Sequence, residues 1–508
     1  MGVDLIDIAA KRAELTPERI AFVDVLSGET RTYRQLNARA TRCANALEGL
    51  GVAAGDRVAV LCRNRIEFFE IQLACAKVGA ILAPLNWRMP PGELGPVLED
   101  CEPVVLFYGG EDAMTAAAVA RGGMRLVALD PADGEGACYG ALLTAASAER
   151  QARAWPADDA WCLLYTSGTT GTPKAVIQTY QMALVNHVNA SHAFGLRDGD
   201  HTLNFLPLFH AAGIHLLSLP TLFAGGTVHV LSGFDADVVI QLIASRQVDV
   251  FFGVPAVYQQ LSLHPRFDEI ELTHVRAWGC GGAPLPDVLA ERFAAKGVLV
   301  CNGYGMTETG PTAFVAAPQD ALAKIGSVGR PQLLLEARIV DSGGREAEVG
   351  DVGEIWMRGP GVTPGYWRRP EETARTFSPD GWLKSGDLGR RDPDGCFYVV
   401  GRIKEMYISG GENVYPAEVE NVLARHSAVL EAAVVAAHDE KWGEVGHAFV
   451  MLRPGAPKVD GARLIHFCRR HLAAYKAPRY VTIVEDFPRT PSGKVQKHLL
   501  REPERVAP

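Results

Sequence analysis

The sequence predicts an α/β protein of more than one domain, and three observations predict it. The chain has 508 residues, too many for one ordinary hydrophobic core. Apolar runs of strand length alternate with segments of helical period as far as residue 305, the pattern of parallel sheets covered by helices. Beyond residue 325 the apolar runs become short and are separated by turn residues, as in antiparallel sheets.

The elements follow in order. Residues 33–50 repeat apolar side chains at helical spacing, and GVAAGDRVAVLCRN (51–64) gives a loop and a short strand. FFEIQLACAKVGAILAPLN (68–86) reads as a helix running into a strand, and PVVLFYGG (103–110) as a further strand. Residues 111–160 are rich in Ala and Gly with little β signal, and are expected to be variable surface and a connection. A second βα series starts at AWCLLYTSG (160–168) and runs through GGTVHVLSGF (225–234), VDVFFGVP (248–255) and VRAWGCGG (275–282) to VLVCNGYG (298–305). LLLEARIVDSGG (333–344), VGEIWMRGP (352–360) and GCFYVVGR (395–402) are the short antiparallel strands. A smaller unit then begins, with helices at 416–426 and 460–472 and strands at 429–439, 447–452 and 480–487.

Composition narrows the function. A hydrophobic content of 48% with 21% charged residues describes a soluble globular chain. A net charge of −9 argues against nucleic acid as a partner, because phosphate backbones demand basic stripes. None of the ten cysteines pairs at C-x-x-C spacing, so they read as small buried residues of a reducing compartment rather than a zinc or redox site. The N-terminus has no secretory pattern, and Ile6 stands where myristoylation needs Ser or Thr. The most apolar stretch, 214–231, is broken by His215, Pro220 and a Gly-Gly pair, so no membrane span is expected and the cytoplasm is the default.

The richest local signal is YTSGTTGTPKAV (165–176). Gly168 and Gly171 let the backbone turn its N–H groups onto an anion; Thr166, Ser167, Thr169, Thr170 and Thr172 add hydroxyls, and Lys174 adds charge. It is not a Walker A loop, since Thr-Pro separates Gly171 from Lys174. Taken alone, it is more simply a flexible polar turn.

It does not stand alone. This segment resembles the signature of the acyl-adenylate-forming superfamily, which includes acyl-CoA synthetases, adenylation domains of peptide synthetases and luciferases. The resemblance continues in order through NGYGMTETGP (302–311), GEIWMRGPGVTPGYW (353–367), GWLKSGDLG (381–389), GRIKEMYISGGENVYPAEVE (401–420) and PRTPSGKVQK (488–497). It is nearest the acyl-CoA synthetase branch that takes fatty or aryl acids. The resemblance implies a large N-terminal domain, 1–402, of two βα-layered subdomains plus a small β-barrel, and a mobile α+β domain, 405–508, hinged at Lys404. It also implies the reaction: a carboxylate attacks the α-phosphate of ATP to give acyl-AMP and pyrophosphate, and a thiol then displaces AMP.

Site roles follow from the same resemblance. The loop and Lys174 suit the β- and γ-phosphates, Glu308 the Mg²⁺, Thr307 the α-phosphate, and Lys494 the carboxylate and α-phosphate oxygens. Asp387 and Arg402 suit the ribose. Tyr304, within Asn302, Gly303, Gly305 and Met306, offers a face to adenine, and Gly281, Gly282 and Ala283 leave room for the base edge. Gly410 and Gly411 belong to the face presented for thioester formation. Lys476 and Arg479 suit CoA phosphates, although an exposed solubilising cluster explains them almost as well.

The acid pocket is expected beside LPLFHAAGI (206–214), FFGVPAVY (251–258) and WGCGGAPLP (278–286), lined by His210, Phe252, Val254, Tyr258, Trp278 and Cys280. No aspartate stands where an amino-acid-activating domain would bind ammonium, so a fatty acid or an arylpropenoate such as ferulate fits best. His210 is a gate, a donor to the carboxylate, or a structural histidine. Arg276 would suit a second carboxylate, as a malonate-type acid needs, though a surface role fits it better. The expected partners are thus a small carboxylic acid, ATP with Mg²⁺, and CoA; loading of a carrier protein is the alternative, and a homodimer is compatible with the sequence.

Overall fold

The computed structural model describes residues 4–130, 138–166, 173–457, 459–489 and 495–500. Two large sheets carry the N-terminal part. The first has six strands in the order Lys174–Thr179, Ala160–Thr166, Ile81–Pro84, Arg57–Leu61, Pro103–Tyr108, Arg125–Ala128. All of its pairings are parallel except that of Lys174–Thr179 against Ala160–Thr166. The second has nine strands and a parallel centre, in which Val300–Tyr304, Ala277–Cys280, Val250–Gly253, His201–Asn204, Thr227–Val230 and Ile20–Asp24 lie side by side.

Local chemistry sets these elements. Thr32 caps helix Tyr33–Gly49: its side chain accepts from the Gln35 N–H while Gln35 accepts from the Thr32 N–H at 2.9 Å, a reciprocal box that satisfies two otherwise orphaned donors. Thr179 starts helix Tyr180–Phe194 in a similar way, accepting from the Met182 N–H at 3.2 Å, and so fixes how the chain leaves the strand that begins at Lys174. Helix Ile66–Val78 is buried nearly all round, and its Glu70 is fully enclosed. Two arginines and a tyrosine pay for that carboxylate: Arg39 Nε at 2.6 Å, Arg31 Nε at 3.2 Å and the Tyr139 hydroxyl at 2.8 Å.

Residues 111–160 hold more structure than their composition suggests. Strand Arg125–Ala128 pairs with Pro103–Tyr108 and forms the edge of the first sheet, with helices Ala113–Ala118 and Tyr139–Ala145 around it. Four residues are too few to show a period, and only Val127 and Ala128 are buried.

The antiparallel part is a four-stranded sheet in the order Glu336–Val340, Gly353–Arg358, Leu383–Arg391, Phe397–Arg402. It is joined to the second sheet's margin through the Gly329–Phe397 bridge. A last sheet is built from Tyr407–Ser409, Glu412–Val414, Val429–Asp439, Gly443–Leu452 and Tyr480–Val484, with helices Pro416–Ala424 and Gly461–His471 contributing to its own buried cluster. Its first hairpin turns on Gly410 and Gly411, both at positive φ (60° and 91°), which a two-residue hairpin turn of this twist requires. All ten cysteines are free thiols, and among the described residues no helix is long and apolar enough to cross a membrane.

Candidate active site

The site is assembled by a short stretch of chain laid along strand Lys174–Thr179. The Ile177 N–H donates to the Gly365 carbonyl at 3.1 Å, the Trp367 N–H donates to the Ala175 carbonyl at 2.9 Å, and Val176 bridges Tyr366. The Thr363 N–H donates to the Glu308 carbonyl at 2.8 Å, and the Gln178 amide to the Thr307 carbonyl at 2.7 Å. The 3₁₀ turn Thr307–Thr309 is thereby tied to the strand that carries Lys174. Just before it, Gly305 passes so close to Pro311 that a Cβ would lie 1.6 Å from that carbonyl oxygen, so no larger residue fits there.

Three side chains meet at this junction. The Tyr366 hydroxyl donates to Glu308 Oε1 at 2.7 Å, and the Lys174 ammonium sits 3.7 Å from the centre of the Tyr366 ring. Glu308 and Tyr366 are both buried, each 6% exposed. Burial pushes the Lys174 ammonium below its ordinary range; Glu308 and Glu372 oppose that push, and the nearby charge of Lys404 adds to it. Burial, reinforced by Glu308, holds the Tyr366 phenol far above the usual range, so it stays a hydrogen-bond donor.

A second cluster lies where strand Leu383–Arg391 pairs with Phe397–Arg402. Asp387 and Arg402 are register partners, with Arg402 Nε 3.1 Å from Asp387 Oδ1, and the Tyr304 hydroxyl donates to Asp387 Oδ2 at 2.5 Å. Asp387 is buried while the Arg402 side chain is 61% exposed, so the pair joins an enclosed carboxylate to a guanidinium that faces solvent. The Tyr304 phenol is raised well above its usual range by burial and by Asp387.

Strand alternation divides the residues expected around the acid. Trp278 and Cys280 point to the side of the second sheet that packs with Phe251, Tyr258 and Phe293, a closed core in which the Trp278 and Phe251 rings lie 4.9 Å apart. Tyr258 is fully buried there and donates to the Gly279 carbonyl at 2.6 Å. These three side chains are thus buried in that core, on the side of the sheet away from Phe252. Phe252 lies on the other side, half-buried, in edge contact with Phe194 at 6.1 Å and packed with the cluster containing Ala212, Leu216 and Leu217. His210 is half-buried beside Phe209, in the turn that enters the π-helix Ala212–Leu216, and Val254 starts helix Pro255–Leu263. Phe194 and Leu216 were missed by sequence reading; the period-2 alternation from Phe252 points to that face. Arg276 is held by Asp200 at 2.6 Å and Asp249 at 3.3 Å, and so is not open to a second substrate carboxylate.

On the small C-terminal sheet, Lys476 pairs with Glu418 at 2.8 Å and Arg479 with Asp439 at 3.3 Å. Gly410 faces the Trp442 indole, and its N–H donates to the Trp442 carbonyl at 2.9 Å. Lys404 is exposed in the turn between Arg402 and Tyr407. Ser167, Gly168, Thr169, Thr170, Gly171 and Lys494 lie outside the described residues; of the loop, Thr166 and Lys174 are seen, as facing partners on adjacent strands.

A buried carboxylate and a lysine at one end and a carboxylate–tyrosine–arginine set at the other is an arrangement suited to a nucleotide. The profile of the AMP-binding enzyme family matches residues 9–367, and that of the AMP-binding enzyme C-terminal domain matches residues 418–494. The chain belongs to the AMP-binding enzyme family. This AMP-binding enzyme is 40% identical over 491 residues to a feruloyl-CoA synthase of Amycolatopsis sp, covering 97% of each chain. It is 36% identical over 496 residues to the long-chain-fatty-acid–CoA ligase FadD13 of Mycobacterium tuberculosis, again covering 97% of each. Among solved structures it resembles ATP-bound MatB from Rhodopseudomonas palustris, with a TM-score of 0.90, 33% identity, and 97% and 98% of the two chains covered.

Proposed function

We propose that this AMP-binding enzyme is an ATP-dependent carboxylate–CoA ligase that forms acyl-AMP and then acyl-CoA. The observation that carries the reading is the Lys174–Tyr366–Glu308 junction, with a lysine and a metal-type carboxylate held ready without neutralising each other. The first half-reaction brings a carboxylate to a polyanion; two like charges about 4 Å apart repel by about 1 kcal/mol in water and about 4 at an effective dielectric of 20. Lys174 and the loop amides offset this at the β- and γ-phosphates, Thr307 donates to the α-phosphate, and Lys494 brings charge to the reacting oxygens.

The residues fit a magnesium ion. Glu308 is a buried carboxylate with one oxygen held by a neutral donor, and no three His, Cys, Asp or Glu side chains cluster as a metal cage among the described residues. Phosphate and water oxygens would complete the coordination, as magnesium accepts them. Bound there, the ion would neutralise phosphate charge.

Asp387, fixed by Tyr304, accepts from the ribose hydroxyls, and Arg402 swings to the same sugar. Asp387→Asn is expected to weaken ATP binding roughly 10- to 100-fold, the scale of a lost charged hydrogen bond, with the KM for CoA unchanged. Equilibrium titration with ATP checks it.

For the acid, the Phe252 face favours an apolar body, and the occupied Arg276 disfavours a dicarboxylic acid. A hydroxycinnamate such as ferulate, or a fatty acid, is the substrate class, in line with the names of the feruloyl-CoA synthase and FadD13 relatives. We take residues 1–402 as the domain that holds ATP and the acid, 405–508 as a lid turning at Lys404, and the cytoplasm as the compartment, which ten free thiols favour. The test is a panel of fatty, cinnamic and dicarboxylic acids with purified protein, ATP and Mg²⁺. Acid-dependent pyrophosphate release with CoA-dependent AMP release is expected for cinnamic or fatty acids. Activity confined to dicarboxylic acids, or AMP release indifferent to CoA, would refute the reading.

A further inference from the structure

Tyr366 was not picked out by its residue type or its motif, yet its side chain touches both charged groups of the junction. Its register against Val176 puts it beside Lys174, two residues along the same strand and on the same face. Its hydroxyl reaches Glu308 and its ring reaches Lys174. The backbone holds it there: the Tyr366 N–H donates to Thr373 Oγ1 at 3.0 Å, and the neighbouring Ile177 and Trp367 N–H groups close the ladder on either side.

Lys174 is near enough to Glu308 to feel its charge, yet among the described residues no ion pair joins the two. A direct pair would be a poor resting state for a nucleotide site, since both partners would have to be pulled apart before phosphate and metal could take their places. A tyrosine avoids this. Its ring holds an ammonium by its quadrupole without cancelling the charge, and its neutral hydroxyl holds one carboxylate oxygen while leaving the negative charge in place.

We propose that Tyr366 is a positioning residue that keeps Lys174 and Glu308 separate and aimed, the ring presetting the lysine for phosphate and the hydroxyl presetting the carboxylate for the divalent ion. The assignment rests on the nucleotide reading above and deepens it. It divides the side chain into two separable parts, which a purely structural role for a buried aromatic would not do.

The experiment is calorimetric titration of the full chain with ATP in the absence of any acid, first in EDTA and then across a series of Mg²⁺ concentrations. Tyr366→Phe keeps ring and volume. It is expected to leave ATP affinity in EDTA unchanged and to raise the Mg²⁺ concentration that half-enhances ATP binding about 10-fold, the scale of losing a group that orients a metal ligand. Tyr366→Leu removes the ring as well and is expected to weaken ATP binding in EDTA also, about 3- to 5-fold, as the lost ring contact frees Lys174 to pair with Glu308. Adding Glu308→Gln to Tyr366→Leu should restore the EDTA affinity, because no carboxylate is left to capture the lysine. In turnover, Tyr366→Phe should be rescued by excess Mg²⁺ with the KM for acid unchanged. A Tyr366→Phe protein with the wild-type Mg²⁺ response, or one that loses the same factor with and without Mg²⁺, overturns the assignment and leaves the nucleotide reading standing. Failure of the wild-type chain to bind ATP at all overturns both.

Discussion

Lys494→Ala is expected to slow acyl-adenylate formation by roughly 10²–10³, the scale of losing one group aimed at charge developing in the transition state. Thiolysis of preformed acyl-AMP should persist, because by the proposal that lysine has left the site before CoA attacks. Both flanks of its segment are pinned to the C-terminal sheet unit. Arg489 holds Glu431 of strand Val429–Asp439 at 2.6 Å and bridges Val495 through its backbone. Lys497 holds Glu420 of helix Pro416–Ala424 at 2.8 Å and Glu405 at 3.1 Å. Arg489, Val495 and Lys497 therefore belong to that unit. Single-turnover quenched-flow, once from ATP and acid and once from acyl-AMP and CoA, separates the two steps. A comparable loss in both would mean that Lys494 serves the fold or the thiol step instead.

The same geometry shows what sequence could and could not reveal. Asp387 and Arg402 stand in different motifs, and their partnership becomes visible only as register, since the two strands place them opposite each other. Their residue types were readable because each motif fixes a carboxylate or a guanidinium beside turn glycines. Tyr366 stood inside a recognised motif, but its partner Glu308 is 58 residues away, and no local rule pairs them. The burial of Trp278, Cys280 and Tyr258 in one core was hidden for a different reason. WGCGG was read as a run, whereas a strand sends Trp278 and Cys280 to one side and Ala277 and Gly279 to the other; Phe251 and Phe252 divide likewise. Which side is closed core depends on helix Asp287–Ala294, whose Phe293 fills the space against Trp278 and Tyr258, and that is tertiary information. Strand Arg125–Ala128 was lost because an edge strand of four residues buries too little to leave a pattern.

Lys404→Pro is expected to spare adenylation and to cut thioester formation roughly 100-fold or more, the cost of reactive groups that cannot reach their geometry. The residue is exposed between strands Phe397–Arg402 and Tyr407–Ser409, in a tight turn where the Glu405 and Met406 N–H groups donate to the Arg402 carbonyl at 3.0 and 3.1 Å. Among the described residues the Lys404 N–H makes no backbone hydrogen bond of that turn, so proline there removes none of those. What it removes is freedom: φ is fixed near −65° and Ile403 is driven from the helical region, so the backbone cannot absorb a large rotation. The join to the C-terminal unit sets helix Pro416–Ala424 against strand Phe397–Arg402. Polar contacts across it include Gln259 Nε2 to the Leu430 carbonyl at 3.3 Å and the exposed Arg425–Asp287 pair at 2.7 Å, and an exposed pair contributes only about 0–1 kcal/mol. On the proposed reading, the hinge backbone decides whether the lid can turn. In Lys404→Pro a burst of acyl-AMP should accumulate on addition of acid and ATP, and CoA should fail to discharge it, while Lys404→Ala discharges it normally. Equal loss of both half-reactions in the proline variant, with the alanine variant unaffected, would show that this turn shapes the nucleotide site itself and that the two reactions do not share it by rotation.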